Sequence, residues 1–282
     1  MKNNFGKILF GTSIALGLSI VTANTAQAGT ITSVDIGGTA ANDYFVYESD
    51  GTNTSRVLNP TSGDINQALV GDSSNPGGNI ELAASSEQGG FDFTKNTTLE
   101  GEIGGKDITL SSLTLSDWTS TYKNTGLTFG EYWFNSALTA NGFGILVGSG
   151  LFNTFQAQNG FQRFSDPNIS YVNQDYTTGD INIGLAGHLN AAPMILGTDP
   201  DPMYGPVIQA SEIVKYTYNG TTDYLFSFTG TNSDLVSDDG THSHNANYNV
   251  TIPAKTPEPS AILGLLGVIG MFAAQRRKKV AS

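Results

Sequence analysis

Asn219-Gly220 lies between two runs in which apolar and polar residues alternate: Val214, Tyr216 and Tyr218 before it, Tyr224, Phe226 and Phe228 after it. Asn-Gly readily takes the two positive φ angles of a two-residue hairpin, so Glu212–Tyr218 and Thr222–Thr229 are read as paired antiparallel strands. A second hairpin is expected where Leu99–Ile103 and Asp107–Leu113 flank Gly104-Gly105. A third is expected where Asn168–Asp175 and Gly179–Ala186 flank the turn Tyr-Thr-Thr-Gly. Thr30–Ile36, Tyr44–Glu48 and Asn247–Ile252 add shorter strands. A chain committed to this many local turns builds antiparallel sheets.

Helical spacing shows at three places. Ser62–Val70 is read as a short helix capped by Ser62 or Asp64. In Phe129–Asn141 the spacing groups Tyr132, Trp133 and Leu138 on one face, and in Gly150–Phe164 it groups Leu151, Phe155 and Phe152. Gly160 either ends or interrupts that last helix. No repeat of fixed period is present, which disfavours a solenoid or propeller. Residues 190–206, rich in Pro, Asp and Gly, read as a long loop. The expected fold is mainly β: an antiparallel β sandwich over 29–252 with a small helical insertion at about 117–165.

Composition sets limits on chemistry. The 282 residues include 34 glycines and no cysteine, and 13% are charged against 38% hydrophobic. Thiol catalysis, zinc-thiolate sites and disulfide staples are thereby excluded. All 25 acids but only seven of the 13 basic residues fall within 35–258, a formal charge of −18 for that stretch. Such a body repels phosphate backbones, so no nucleic acid partner is expected.

Both ends read as addresses. Lys2 and Lys7, an apolar stretch from Ile8 to Val21, and Ala26-Gln27-Ala28 form a secretory signal helix with cleavage after Ala28. At the other end, residues 253–259 form a linker ending in Pro257-Glu258-Pro259. The apolar run Ser260–Ala274 spans about 22 Å as a helix, short of a hydrocarbon core of about 30 Å. Gln275 and the stems of Arg276 and Arg277 extend it, giving a short transmembrane helix over 260–275. The basic tail 276–282, with Arg276, Arg277, Lys278 and Lys279, stays cytoplasmic and places the body outside. The prolines hold the preceding chain extended, as a processing enzyme at the membrane face requires.

The triplet, the short Gly-spaced span and the Arg-Arg-Lys-Lys cluster resemble a PEP-CTERM sorting signal. That resemblance implies processing by an exosortase, a membrane cysteine enzyme that releases or transfers its substrates in bacteria with exopolysaccharide systems. The body also resembles PEP-CTERM proteins of cyanobacteria, most in the stretch SDPNISYVNQDYTTGDINIGLAGH at 165–188. That likeness brings no activity or catalytic residues with it. The expectation is an exported surface or matrix protein, held transiently by its membrane helix, with a non-catalytic structural or interaction role. A carbohydrate-binding module or adhesin for exopolysaccharide is the alternative, and a secreted hydrolase the third reading.

Candidate sites in the body are few. Ser-Asp-Asp-Gly-Thr-His-Ser-His at 237–244 brings together Asp238, Asp239, His242 and His244. Two imidazoles at i, i+2 can share a strand face and hold a borderline metal, while the carboxylates suit a harder ion; the alternative is a solvated turn. Asp199 and Asp201 resemble half of a calcium loop, although the spaced Gly and terminal Glu are missing. No cofactor is otherwise expected, calcium being the exception. Glu100 and Glu102 point to one strand face about 7 Å apart, which suits solvent better than the two sides of a glycosidase cleft. Tyr122, Tyr132, Trp133, Tyr216, Tyr218 and Tyr224 are either sugar platforms or core. The Asn-x-Ser/Thr triplets starting at Asn53, Asn96, Asn168, Asn219 and Asn249 read as polar turns.

Overall fold

The computed structural model describes residues 29–196, 207–238, 240 and 242–254. The signal segment with Ala26 and Ala28, the pair Asp199 and Asp201, and Asp239 lie outside the described residues. So do Pro257-Glu258-Pro259, the 260–275 span and Arg276–Lys279. Among the described residues, no helix is long and apolar enough to cross a membrane.

In chain order the first strands are β1 (Gly29–Thr30), β2 (Thr32–Gly38), β3 (Tyr44–Ser49), β4 (Asn53–Arg56), β5 (Gly78–Leu82), β6 (Thr97–Ile103) and β7 (Lys106–Ser111). They are followed by β8 (Asn168–Gln174), β9 (Ile181–Gly187), β10 (Val214–Tyr218), β11 (Thr221–Leu225), β12 (Thr231–Asn232), β13 (Val236–Ser237) and β14 (Ala246–Ile252). The helices are α1 (Ser62–Ala68), α2 (Leu115–Thr119), α3 (Phe129–Ala140), α4 (Leu151–Ala157), α5 (Gly160–Arg163) and α6 (Ala192–Leu196).

The strands form two sheets. The larger, curled one runs β12-β14-β9-β8-β5-β3-β4-β13, with β1 also on β8, and the smaller runs β11-β10-β7-β6-β2. All pairings are antiparallel except β4 with β13. That parallel pair departs from the expected wholly antiparallel sandwich. A two-residue strand can run parallel here because the long excursion from Arg56 to Val236 supplies the crossover.

The expected hairpins form at the expected turns. Gly104 and Gly105 have φ of 60° and 71°, and Asn219 and Gly220 have 49° and 72°. These left-handed pairs match the right-handed twist of the flanking strands. Strand periodicity then sorts the faces. Val46, Ile80, Ile169, Leu185 and Tyr248 from the larger sheet meet Leu99, Leu110, Val214 and Tyr216 from the smaller in one buried core.

The helices build a second core. Thr128 and Glu131 form a capping box that starts α3. The helix then buries Phe129, Trp133, Phe134, Ala137 and Leu138, with Tyr132 only half-buried. Trp118 of α2 stacks on Phe161 of α5 at 4.5 Å, and Phe155 of α4 lies between Trp133 and Phe134. Gly130 permits this approach, since a Cβ there would stand 2.8 Å from the Phe161 ring. Asn159, with φ 59°, breaks the expected 150–164 helix in two, and α5 starts at Gly160. Thr61, with Asp64 at N3, caps α1 in place of Ser62.

Helices occur over Leu115–Arg163 and again at Ala192–Leu196, where a loop was expected. The segment 207–213 ties the two cores together: Ile208, Ala210 and Ile213 belong to the helical core, and Val214 begins β10 in the sandwich core.

Candidate functional site

Side chains on the far face of the larger sheet follow from register. Phe45 of β3, Glu81 of β5, Asn168 of β8, Ala186 of β9 and Asn247 of β14 stand opposite one another in a single row across five strands. Their neighbours in sequence, Val46, Ile80, Ile169 and Leu185, fill the sandwich core, so the row faces away from it. At one end of this face the sheet meets the helical layer, and a cleft of about 420 Å³ opens there.

Its walls come from many elements. Phe45, Tyr47, Glu81 and Asn168 line the sheet side, and the turn after β5 supplies Ala84, Ser86 and Glu87. α5 supplies Arg163, α6 supplies Met194, and Asp166, His188, Glu212, Ser243 and His244 arrive from connecting segments. Junctions between packed layers are common positions for ligand clefts.

Three carboxyl groups from three separate elements share this space, and each is held by donors. Tyr47 OH donates to Glu81 Oε2 at 2.9 Å. Ser86 Oγ donates to Asp166 Oδ2. Asn168 donates both its backbone N–H and its side-chain amide to Glu212 Oε2, at 3.0 and 3.1 Å. Two acceptors remain without a partner although they are buried: Asp166 Oδ1 and Asn168 Oδ1. The residues that carry them are 7% and 4% exposed. A buried acceptor without a donor costs about 1–3 kcal/mol, so two at one site constitute a stored demand for a donor.

The electrostatics follow from this crowding. Burial, followed by repulsion from Asp166, lifts the Glu81 carboxyl to about 8. Burial also raises Asp166, with Glu87 and Asp43 adding to it, and raises Glu212 with help from Asp166 and Glu81. All three are thus pushed in the same direction, toward the neutral acid. The cation on the cleft wall, Arg163, faces Glu87 at 3.8 Å.

The residues singled out from sequence are placed differently. His244 is buried, its Nδ1 lies 2.7 Å from Thr54 Oγ1, and its ring packs edge-on against Tyr47. It forms part of the cleft wall. His242 is exposed and Asp238 accepts from the Arg56 backbone N–H, so these three do not assemble a common centre. Among the described residues, no group of three or more His, Asp or Glu side chains is placed to hold a metal ion. Glu100 and Glu102 are exposed on β6. Trp133 and Tyr216 are core residues, Tyr218 packs half-buried against the core between the sheets, Tyr122 lies tilted against Tyr132 at 4.6 Å, and Tyr224 stacks on Phe129 at 4.1 Å. These aromatics therefore serve packing.

Glu81, Asp166 and Glu212 were not anticipated. A signal for two of them existed: Glu81 in Gly-Asn-Ile-Glu-Leu and Glu212 in Ser-Glu-Ile-Val each place one carboxyl inside an apolar run. An acid in such a place is exceptional unless it is paired or functional.

In comparisons with protein-family models, curated proteins and solved structures, nothing matches this chain.

Proposed function

We propose that the chain is an exported surface or matrix protein, delivered by its two terminal signals and processed by an exosortase, whose body holds polysaccharide without cleaving it. The observation that carries the binding role is the cleft. It is a half-open groove with Phe45 and Tyr47 on one wall and with buried acceptors, Asp166 Oδ1 and Asn168 Oδ1, that lack donors. Sugars supply hydroxyl donors and apolar ring faces together, the combination this lining needs.

Carboxyls from separate elements in one cleft also suit a hydrolase, which is why that reading is weighed. Glycoside hydrolysis needs one carboxyl kept as the acid and another kept ionised as base or nucleophile. Here burial raises Glu81, Asp166 and Glu212 in the same direction, and nothing in their surroundings sets one apart from the others as the ionised partner. Binding is the better use of the geometry.

The test has two parts. Pull-down of the protein on insoluble matrix polysaccharide should retain it, and retention should fall when Asp166→Asn and Glu81→Gln are combined. Changing Pro257, Glu258 and Pro259 to alanine should leave unprocessed protein in the inner membrane. Absence of retention on every polysaccharide tried removes the binding role, and an unchanged mature mass removes the exosortase role.

A further inference from the structure

Resting on the polysaccharide-binding reading, we infer that the cleft selects sugars that carry a free ammonium group, that is, amino-sugar polymers that are not N-acylated. The reasoning starts from the inventory of donors and acceptors. Tyr47, Ser86 and the Asn168 amide already donate inward, to Glu81, Asp166 and Glu212. Two acceptors carried by lining residues, Asp166 Oδ1 and Asn168 Oδ1, are buried and unpartnered. A ligand that satisfies both must arrive as a donor, and it meets Asp166 Oδ1 as an acceptor once that carboxyl is ionised.

Charge then narrows the class of donor. Glu81, Glu87, Asp166 and Glu212 line the cleft, with Asp43 nearby, against one arginine on the wall, Arg163, which faces Glu87. Arg56, which also acts on Glu81, holds its guanidinium 3.2 Å over the Phe45 ring. His188 and His244 complete the titratable lining. An anionic sugar would make ionisation of these carboxyls harder still, and a neutral one would leave them held as neutral acids by burial and by the repulsion that ionisation would bring. An ammonium head removes that repulsion, and hydrogen bonds from a charged donor are about twice as strong as neutral ones.

Shape argues against a bare metal ion. Among the described residues no three His, Asp or Glu side chains are placed to hold a metal ion, and the carboxyls on the lining come from separate elements. A sugar ring with one ammonium and several hydroxyls likewise presents separate donors. The ammonium itself is compact and carries three N–H donors, suiting acceptors buried as deeply as Asp166 Oδ1.

Binding of this kind displaces a proton. The carboxyl that meets the ammonium ionises, its O–H proton leaves to solvent, and an ammonium–carboxylate pair remains. Because burial and mutual repulsion keep these carboxyls protonated in mildly acidic solution, proton release is measurable at pH 6.

The experiment is calorimetric titration of the full chain in mild detergent at pH 6 with three tetrasaccharides: β-1,4-glucosamine, its fully N-acetylated form, and the plain β-1,4-glucose tetramer. Two buffers of different ionisation enthalpy report the protons released. The expected result is at least tenfold tighter binding of the free-amine tetramer with release of up to one proton. Asp166→Asn should abolish that preference, and Glu81→Gln should do so independently, both with a melting temperature at pH 6 no lower than the parent's. Equal binding of the acetylated or plain tetramer overturns the amine selectivity and leaves polysaccharide binding standing. Binding of none of the three overturns both.

Discussion

One oxygen of Glu212 accepts two hydrogen bonds from a single residue, the backbone N–H and the side-chain amide of Asn168. This joins the segment that ties the two cores together to the first residue of β8, and it fixes one wall of the cleft. Glu212→Gln keeps an oxygen for both donors while removing the ionisable proton. It should leave stability at pH 5 within about 0.5 kcal/mol of the parent. Glu212→Ala strands a buried amide and should cost about 1–3 kcal/mol at the same pH. Urea unfolding of the two variants side by side checks the contrast, and equal losses would mean the double hydrogen bond does not matter.

The pH dependence of stability should have two arms. Folding raises Glu81 to about 8 and raises Asp166 and Glu212, so the folded state binds more protons than the unfolded chain between the ordinary carboxyl range and those raised values. Stability is therefore undiminished below about pH 4.5 on their account and is lost as pH rises toward 8, by about 1.4 kcal/mol per pH unit for each group in its titrating range. Asp117 behaves oppositely. Burial alone would raise it, but hydrogen bonds from Lys215 and Thr114 outweigh burial and hold its carboxyl below the ordinary range. Its contribution is present above that range and is lost as pH falls through the depressed value. Melting temperature should thus peak at about pH 4, and Glu81→Gln should flatten the alkaline arm while leaving the acid arm in place.

The two tryptophans offer an internal comparison. Trp118 and Trp133 are both fully buried in the helical core, 5.7 Å apart and edge to face. Trp118 Nε1 donates to Ser165 Oγ at 2.7 Å, whereas Trp133 Nε1 is buried without a partner. Replacing either with Phe removes similar volume. Trp118→Phe gives up a satisfied hydrogen bond, Ser165 Oγ keeping only its own bond to the Phe161 carbonyl, while Trp133→Phe removes an orphaned donor. Trp118→Phe should be the more damaging by about 1–3 kcal/mol in denaturant unfolding. The reverse order would place the energetic weight on packing alone.

Two glycines separate backbone strain from lack of space. Gly220 has φ 72° in the tight turn, but a Cβ there would meet nothing within 4 Å. Gly220→Ala should cost about 1 kcal/mol, the left-handed penalty by itself. In the larger sheet the ring of Tyr171 lies across Gly184, 2.1 Å from where a Cβ would be. Gly184→Ala must push that ring off Asn249, to which its hydroxyl donates at 3.0 Å, and should cost more than the turn substitution. Thermal melts of the two variants rank the effects.

What could be read from the residues alone was local. Gly104-Gly105 and Asn219-Gly220 specify their turns through φ angles that neighbours need not supply, and the alternation at Val214, Tyr216 and Tyr218 fixes which face is buried. Asn159 takes the left-handed conformation, which Asn tolerates better than most residues, between Phe155 and Phe161, and both of these rings reach Trp118. The cleft was hidden for a stronger reason. Its Glu81, Asp166 and Glu212 are brought together by the adjacency of β5 to β8, strands far apart in the chain, and by a helical layer that closes one side. Spacing along the chain holds no record of either. His244 was noticed for its neighbour His242, yet its actual position is set by Thr54 across the larger sheet.

Strand β8 has two ends with different company. Asn168 begins it at the cleft, and Gln174 ends it beside Gly29, while Ala254 donates its N–H to Asp180 at 2.7 Å just across the β8–β9 turn. The first and last described residues therefore leave from the same pole of the molecule. The cleft opens at the other, about 20 Å away at a rise of about 3.3 Å per residue. A partner that gripped the chain beside Gly29 or Ala254 would therefore sit a full strand length from the cleft and leave its mouth uncovered.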